Sequence, residues 1–197
     1  MLRPGLTLYV VRHGETDWNA IQRYQGQTDI PLNDKGRSQA ARNGRALAEL
    51  LGGRLTELGY CASPLSRASE TMEILRRTAG LDPAGYATDD RLKEINFGHW
   101  EVELWTKLPE TDPEGFAARR VDPWGWVPRG GESYQMLASR VGGFLATLER
   151  DTVVVTHGGV MRVIRGHLID IAPAEIPRLE VPQDKILEVR HGAAVWR

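Results

Sequence analysis

Short runs of β-forming residues alternate with stretches of helical periodicity along this chain, and that alternation limits its possible folds more than any other feature. The predicted strands are residues 6–11, 58–62, a weak strand near 86–88, 152–156, 185–189 and 193–196. The predicted helices are residues 34–51, 65–79, a helix that starts near Ser133, and 158–169. Strands that alternate with helices form a mostly parallel sheet covered on both faces. The sequence therefore predicts an α/β fold, a three-layer α/β/α sandwich.

Residues 98–131 interrupt this alternation. They hold four of the six tryptophans and four of the eleven prolines, and loops of this length without secondary structure are uncommon in compact domains. A chain of 197 residues has the length of one domain. We therefore predict a single domain over residues 1–197, with a cap of short helices and loops inserted at about 98–131.

The overall composition excludes several classes of protein. The chain has 25 basic and 26 acidic side chains and a formal net charge of −1, which excludes a strongly basic nucleic-acid binder. No apolar run approaches the roughly 18–20 residues that span a bilayer, so no membrane partner is predicted. Cys61 is the one cysteine, which rules out an internal disulfide framework and is typical of a reducing compartment. We expect a soluble, cytoplasmic protein.

Two of the predicted strands end in the same way. Residues 6–11 run into Arg12-His13-Gly14, and residues 152–156 run into His157-Gly158-Gly159. Ligands of open α/β sheets bind beyond the carboxyl ends of the strands, so both histidines are predicted to lie at the functional edge. A lone histidine there is more often a hydrogen-bonded core residue, but two such pairs in one domain favour a shared site.

A third group, Ser63-Pro-Leu-Ser-Arg67, lies at a predicted helix start with Ser63 as N-cap. The free N–H groups and the dipole of such a helix end attract anions, and Arg67 falls outside the apolar stripe of its helix. With Arg12 it supplies two planar guanidinium groups, which suit phosphoryl oxygens better than lysines do. Glu94 follows a weak strand and has two interpretations, a general acid and a surface carboxylate.

The pentapeptide Arg12-His13-Gly14-Glu15-Thr16 resembles the signature of the histidine phosphatase family, which includes the phosphoglycerate mutases. Further similar pieces follow in chain order, so that the resemblance extends from residue 12 to residue 159. Each piece is weak alone, whereas the ordered set is specific. The pieces are Trp18-Asn19, Gln25-Gly26, Pro31-Leu32-Asn33, Ser63-Pro64-Leu65-Ser66-Arg67-Ala68, Glu94 with Phe97-Gly98, Gly130-Gly131-Glu132-Ser133 and Thr156-His157-Gly158-Gly159.

The resemblance implies a role for each matching residue. His13 is the expected nucleophile and forms a phosphohistidine. Arg12, Arg67 and His157 are expected to hold the phosphoryl group, and Glu94 to protonate the leaving oxygen. The cap is the expected specificity element. Substrate contacts are expected from Asn19, Gln25, Gly26 and Gly158.

The same roles have a physical basis. An imidazole attacks phosphorus only when it is neutral, and its unperturbed pKa is about 6.5. The flanking arginines disfavour the imidazolium, so we expect a lowered pKa for His13. Arginine and histidine supply the positive charge for the phosphoryl oxygens, and the sequence has no His-Glu-x-x-His or paired-cysteine motif. We therefore predict no metal and no cofactor.

The predicted function is a metal-independent phosphomonoesterase that acts on a small phosphorylated metabolite through a phosphohistidine. Two alternatives stay open: phosphoryl transfer of the phosphoglycerate mutase type, and a phospho-ligand binding module without catalysis. The apolar C-terminal strands offer an edge for a homodimer. Val102 stands where many relatives have glycine, and a β-branched residue there is expected to alter the entry angle of the cap, which affects substrate specificity more than chemistry. Arg119 and Arg120 form either a solvated face or a contact with a second anionic group on the substrate.

Overall fold

The computed structural model describes residues 2–197 and contains an element at each predicted strand and helix. The strands are β1 (Leu8–Arg12), β2 (Gly59–Ala62), β3 (Ala87–Thr88), β4 (Thr152–Thr156), β5 (Ile186–Arg190) and β6 (Ala193–Trp196). The α-helices are α1 (Asp17–Ala20), α2 (Asp34–Leu51), α3 (Ser66–Thr78), α4 (Leu108–Thr111), α5 (Pro113–Val121), α6 (Tyr134–Leu145) and α7 (Gly158–Leu168). Short 3₁₀ helices lie at Gly52–Glu57, Asp90–Leu92, Gly98–Trp100, Trp105–Lys107 and Ile176–Arg178. None of the helices in residues 2–197 is long and apolar enough to cross a membrane.

The six strands form one sheet in the order β3-β2-β4-β1-β5-β6. Strands β3, β2, β4 and β1 are parallel, whereas β5 and β6 pair antiparallel with their neighbours. The register of β1 on β4 pairs Arg12 with Thr156. Because these two strands run in the same direction, the residues that follow them, His13 and His157, leave the sheet at the same edge. The predicted α/β fold with a mostly parallel sheet is confirmed.

Both faces of the sheet are covered by helices. Leu8 and Val10 of β1 pack into a core with α6 and α7, while Tyr9 and Val11 pack into a second core with α2 and α3. All four side chains are buried. Burial on both faces explains why the strand has a continuous apolar run instead of an alternating pattern.

Residues 98–131, called the cap segment below, contain α4, α5 and two of the 3₁₀ helices. The Trp100 ring is buried, and its centroid lies 4.4 Å from that of Trp126. Its Nε1 donates to the carboxylate of Asp112 at 2.7 Å, and the same carboxylate accepts from the backbone N–H of Gly115 at 3.0 Å. Asp112 therefore joins the buried indole to the first turn of α5, and these two tryptophans serve packing.

Val102 has a backbone conformation that is unfavourable for its side chain. Its φ is +70°, in the left-handed region where a β-branched residue is rare, and its side chain gains little from packing because 51% of the residue is exposed. Such strain costs on the order of 1–2 kcal/mol, and glycine adopts this region without it. We expect Val102→Gly to raise the free energy of unfolding by about 1 kcal/mol in chemical denaturation.

Val121, at the end of α5, provides the matched control for that substitution. It is 88% exposed and is not among the residues with positive φ. The change Val121→Gly should lower the free energy of unfolding by about 0.5–1 kcal/mol. Equal destabilisation by the two substitutions would contradict the assignment of strain to position 102.

Candidate active site

The edge where β1 and β4 end holds two imidazole rings side by side. The ring centroids of His13 and His157 are 5.1 Å apart, and both residues are buried. The backbone N–H of His13 donates to the carbonyl oxygen of Thr156 at 2.8 Å, which extends the strand pairing by one residue. Strand register therefore brings the two predicted histidines together.

A hydrogen bond selects the tautomer of His13. Its Nδ1 lies 2.7 Å from the carbonyl oxygen of Gly14, and because a carbonyl oxygen only accepts, Nδ1 carries the hydrogen. The Nε2 atom therefore holds the lone pair in the neutral ring. Position 14 must be glycine because a Cβ there would collide with the carbonyl group of Gly36 in the first turn of α2.

The pKa of His13 lies well below its usual value of 6.5. Burial is the largest cause because the imidazolium would lose its hydration, and the positive charges of Arg67 and Arg12 lower the pKa further. The hydrogen bond to Gly14 acts in the opposite direction. The direction agrees with the expectation from the sequence, but burial contributes more than either arginine does.

Carbonyl oxygens orient both arginines. The buried Arg67 donates to the carbonyl oxygens of Gly26 at 2.7 Å and Thr28 at 2.9 Å, and Arg12 donates to that of Val181 at 3.0 Å. Neither arginine forms an ion pair within residues 2–197, and the Nε of each is buried without a partner. Carbonyl groups position a guanidinium without neutralising it, so both charges remain available to an anion.

Ser63 contacts His157 and is not the N-cap of a helix. Its Oγ lies 2.7 Å from Nε2 of His157, which leaves Nδ1 of that ring buried and without a partner. Helix α3 begins at Ser66, with Leu65 as an N-cap that makes no side-chain hydrogen bond. The prediction of Ser63 as an N-cap is therefore wrong, because its hydroxyl forms a hydrogen bond with a histidine that is distant in sequence.

The side-chain amide of Asn19 is held through its oxygen. This Oδ1 accepts from the backbone N–H of Thr16 and from Nε2 of Gln183, both at 3.2 Å. Gln183 also donates to the carbonyl oxygen of His13 at 3.2 Å. It is therefore a positioning residue that the sequence analysis missed, and no motif near it in the sequence marks it.

The loop of Gln25 and Gly26 forms another wall of the site. Gly26 has a φ of +52°, and a Cβ there would collide with the side chain of Glu101. The Glu101 carboxylate accepts from the backbone N–H groups of Gln27 at 2.9 Å and Thr28 at 3.1 Å. Glu101 is a further positioning residue, since it holds the loop whose carbonyl groups orient the Arg67 guanidinium.

The Glu94 carboxylate lies at the start of α7. Its Oε1 accepts from the backbone N–H of Gly159 at 3.0 Å and from that of Ile95 at 2.9 Å. A Cβ at position 159 would come within 2.5 Å of that oxygen. Two backbone N–H groups thus hold this carboxylate at the site, and the absence of a side chain at Gly159 leaves room for it. This contact excludes the interpretation of Glu94 as a solvated surface residue.

The site contains one cavity of about 150 Å³. The lining includes all the predicted site residues except His157, whose ring lies against that of His13. In the part of the chain that the structure describes, no cluster of three or more His, Cys, Asp and Glu side chains could hold a metal ion. Four further residues line the cavity without having been assigned a role from sequence: Arg23, Tyr24, Phe97 and Arg162.

The cap arginines differ from each other. The Arg119 guanidinium lies 5.4–5.8 Å from the ring centroids of Tyr24, Phe97 and Trp100 and donates to the Tyr24 hydroxyl at 3.3 Å. Arg119 is therefore half-buried among aromatic rings, whereas Arg120 is exposed. Both arginines line a separate cleft of about 340 Å³ that shares no residue with the catalytic cavity.

The two buried histidines should make stability depend on pH. The pKa of His157 also lies well below 6.5, and burial is the largest single cause. Unfolded imidazoles take up protons near pH 6.5, whereas these two stay neutral in the folded chain. The free energy of unfolding should therefore fall as the pH is lowered below about 6.5, by up to about 1.4 kcal/mol per pH unit for each histidine.

Chemical denaturation between about pH 5 and 7.5 measures this dependence. The variant His13→Asn keeps a donor for the Gly14 carbonyl group but has no titratable ring. Its free energy of unfolding should decrease less steeply with falling pH than that of the wild type. Equal slopes for the two proteins would mean that His13 does not remain neutral when folded.

A neutral buried imidazole that faces two guanidinium groups free of carboxylates is suited to phosphoryl transfer. Comparison with known proteins gives the same class. The sequence model of the histidine phosphatase superfamily (branch 1) matches residues 8–197. The chain belongs to this superfamily and is a phosphoric monoester hydrolase.

Named relatives cover most of the chain. A metal-independent phosphoserine phosphatase of Arabidopsis thaliana is 35% identical over 163 residues, which are 80% of this chain and 66% of that protein. The Salmonella choleraesuis protein named "Probable phosphoglycerate mutase GpmB" is 33% identical, over 97% of this chain and 87% of its own. The solved alpha-ribazole phosphatase of Shigella flexneri superposes with a TM-score of 0.78 at 26% identity, over 98% of this chain and 95% of its own.

Proposed function

We propose that the protein hydrolyses a small phosphomonoester in two in-line steps, with His13 as the nucleophile and without a metal ion. The observation that carries this proposal is the state of His13: its ring is buried, its pKa is lowered, and its Nδ1–H is bonded to Gly14. The Nε2 lone pair is therefore available for attack at neutral pH.

In the first step, Nε2 of His13 attacks phosphorus, and the bond from phosphorus to the leaving oxygen breaks. The charge on the non-bridging oxygens is stabilised by the Arg12 and Arg67 guanidinium groups, which other protein groups have already oriented. Glu94 gives a proton to the leaving oxygen, so the product is an alcohol and the enzyme carries a phosphohistidine.

In the second step, Glu94 takes a proton from a water molecule as the oxygen of that water attacks the phosphohistidine. The bond between phosphorus and Nε2 breaks, inorganic phosphate leaves, and both His13 and Glu94 return to their starting states.

Two further groups support the phosphoryl oxygens. The Asn19 amide nitrogen donates to them, and so does Nδ1–H of His157 in the tautomer whose Nε2 accepts from Ser63.

The substrate enters past the loop of Gln25 and Gly26, and Gly158 also lines the cavity that it enters. The cavity of about 150 Å³ is smaller than the roughly 300–1,000 Å³ of sites for drug-sized ligands, which supports a small phosphorylated metabolite. The cap segment, inserted in a single domain, contributes none of the residues that line this cavity. It acts on the substrate through Tyr24 and Phe97, which line the cavity and carry Arg119 of the cap over their rings.

Two measurements test this function. The enzyme should hydrolyse p-nitrophenyl phosphate in the presence of a chelator, and rapid quenching should trap a phosphoryl group that is labile in acid and stable in base, as a phosphoramidate is. Loss of turnover in the presence of the chelator, or a trapped phosphoryl group that is stable in acid, would contradict the proposal. Isomerisation of phosphoglycerate with a bisphosphoglycerate primer, faster than hydrolysis, would indicate a mutase instead.

We also propose a cytoplasmic location and a homodimer. Cys61 is the one cysteine and is a free, buried thiol, which is typical of a reducing compartment. Strand β6 is the last strand of the sheet, and its Val195 is an exposed apolar residue. Analytical ultracentrifugation tests the dimer, and fractionation of cells tests the location.

A further inference from the structure

Two arginines in the catalytic cavity are not needed to hold the phosphoryl group in the proposed mechanism. Arg23 comes from the loop after α1, and Arg162 from the second turn of α7, and both line the cavity with Arg12 and Arg67. Within residues 2–197 neither of them forms an ion pair with a carboxylate.

The contacts of Arg23 and Arg162 leave their charges uncompensated. Arg162 donates from Nε to the carbonyl oxygen of Leu179 at 2.7 Å. The Arg23 guanidinium lies 5.4 Å from the ring centroid of Trp18, and its Nε is buried without a hydrogen-bond partner. A buried donor without a partner is costly unless a ligand satisfies it.

Arg162 also approaches another cation. A Cβ at Gly158 would lie 3.3 Å from Nη1 of Arg162 and 3.5 Å from Nε of Arg12, so the two guanidinium groups meet across this glycine. Burial and then the charge of Arg162 lower the pKa of Arg12 to about 10. Two like charges this close in a buried site repel each other, and an anion bound between them relieves that repulsion.

The charges of the cavity can be counted. Four guanidinium groups face one carboxyl group, that of Glu94, and both histidines are neutral. A phosphomonoester brings a charge of about −2, so at least one positive charge remains when it is bound. Arg140 shows the contrasting arrangement, since Glu132 accepts from its Nε at 2.7 Å and from its Nη2 at 2.9 Å.

We propose that Arg23 and Arg162 bind a second anionic group, a carboxylate or a phosphate, on the alcohol part of the substrate. This inference rests on the proposed function and narrows its substrate class to phosphomonoesters of small anionic alcohols. Because the cavity is only about 150 Å³, the second anion lies within a few bonds of the phosphate. Arg119 cannot play this role while it is packed among aromatic rings.

A matched pair of three-carbon esters tests the proposal. 3-Phosphoglycerate and glycerol 3-phosphate differ mainly in a carboxylate against a neutral hydroxymethyl group. The wild-type kcat/KM should be at least about 10-fold higher for 3-phosphoglycerate, as expected for charge-assisted hydrogen bonds. Propane-1,3-diol bisphosphate, the third ester, shows whether a phosphate serves as the second anion better than a carboxylate.

Substitutions then locate the preference. Arg23→Gln and Arg162→Gln should each lower the ratio of the two kcat/KM values by about 5- to 10-fold, through a higher KM for the anionic ester. Arg120→Gln, in the separate cleft, should leave the ratio unchanged. A merely structural role for either arginine would lower kcat/KM for both esters together and leave the ratio as in the wild type.

The outcomes separate this inference from the proposed function. Equal wild-type kcat/KM values for 3-phosphoglycerate and glycerol 3-phosphate would overturn the second-anion site. So would a preference for 3-phosphoglycerate that survives both substitutions, or one that is lost with Arg120→Gln. Each of these results would leave the proposed phosphatase activity intact. Hydrolysis of none of the esters or of p-nitrophenyl phosphate would overturn both.

Discussion

Replacement of His13 by asparagine should abolish turnover, with kcat at least about 10⁴-fold below that of the wild type. Asparagine has no nucleophilic nitrogen, yet its amide N–H can still donate to the Gly14 carbonyl oxygen, which His13 Nδ1 contacts at 2.7 Å. The loss should therefore reflect chemistry more than misfolding. Steady-state hydrolysis of p-nitrophenyl phosphate measures the rate, and no phosphoenzyme should be trapped after quenching.

His191→Asn is the control for this substitution. His191 lies outside the catalytic cavity, and its Nε2 contacts the carbonyl oxygen of Leu2 at 2.7 Å. This variant should retain the wild-type kcat. Circular dichroism and denaturation confirm that both variants are folded. A folded His13→Asn protein with a rate near that of the wild type would exclude His13 as the nucleophile.

Replacement of Arg67 by lysine should lower kcat/KM by about 10³-fold even though the positive charge is kept. Arg67 uses its two terminal nitrogens to reach the carbonyl oxygens of Gly26 and Thr28, while its planar group lines the catalytic cavity. A lysine ammonium is a single point donor and cannot do both. We expect the loss to appear in kcat as well as in KM, because the guanidinium stabilises charge in the transition state.

Arg76→Lys provides a control on the same helix. Arg76 is buried, packs over the Tyr60 ring at 4.1 Å and donates to the carbonyl oxygen of Asp82 at 2.7 Å, all outside the catalytic cavity. Its replacement should reduce stability but leave kcat/KM unchanged. If both lysine variants lost activity equally, a general disturbance of α3 would account for the effect of Arg67→Lys.

The sheet and the position of the site within it could be predicted because they follow from local patterns. Continuous apolar runs mark β1 and β4 as strands buried on both faces, and parallel strands deliver the residues after them to one edge. His13 and His157 could therefore be placed together before any contact was known. The helix starts at residue 34 and near Ser133 were similarly recognisable, and at these starts Asn33 and Ser133 each accept a backbone N–H from the first turn.

Ser63 shows where local patterns fail. The residues Ser63-Pro64 have the composition of a helix start, yet the hydroxyl lies against His157 on another strand end. Gln183 and Glu101 have no pattern at all, because each acts on groups that only the folded chain brings near it. Arg23 and Arg162 look like ordinary surface arginines in the sequence.

The sequence by itself determined the order of strands and helices, the edge at which ligands bind, and the chemical types of the main site residues, because each depends on neighbours a few positions away. Only the tertiary structure decided which atom of each ring is free, which arginines keep an uncompensated charge, and how much positive charge the cavity holds. These properties depend on burial and on hydrogen bonds between segments far apart in the chain, such as the bond from Arg12 to the carbonyl oxygen of Val181. The pattern of neighbouring residues in the sequence therefore does not predict them.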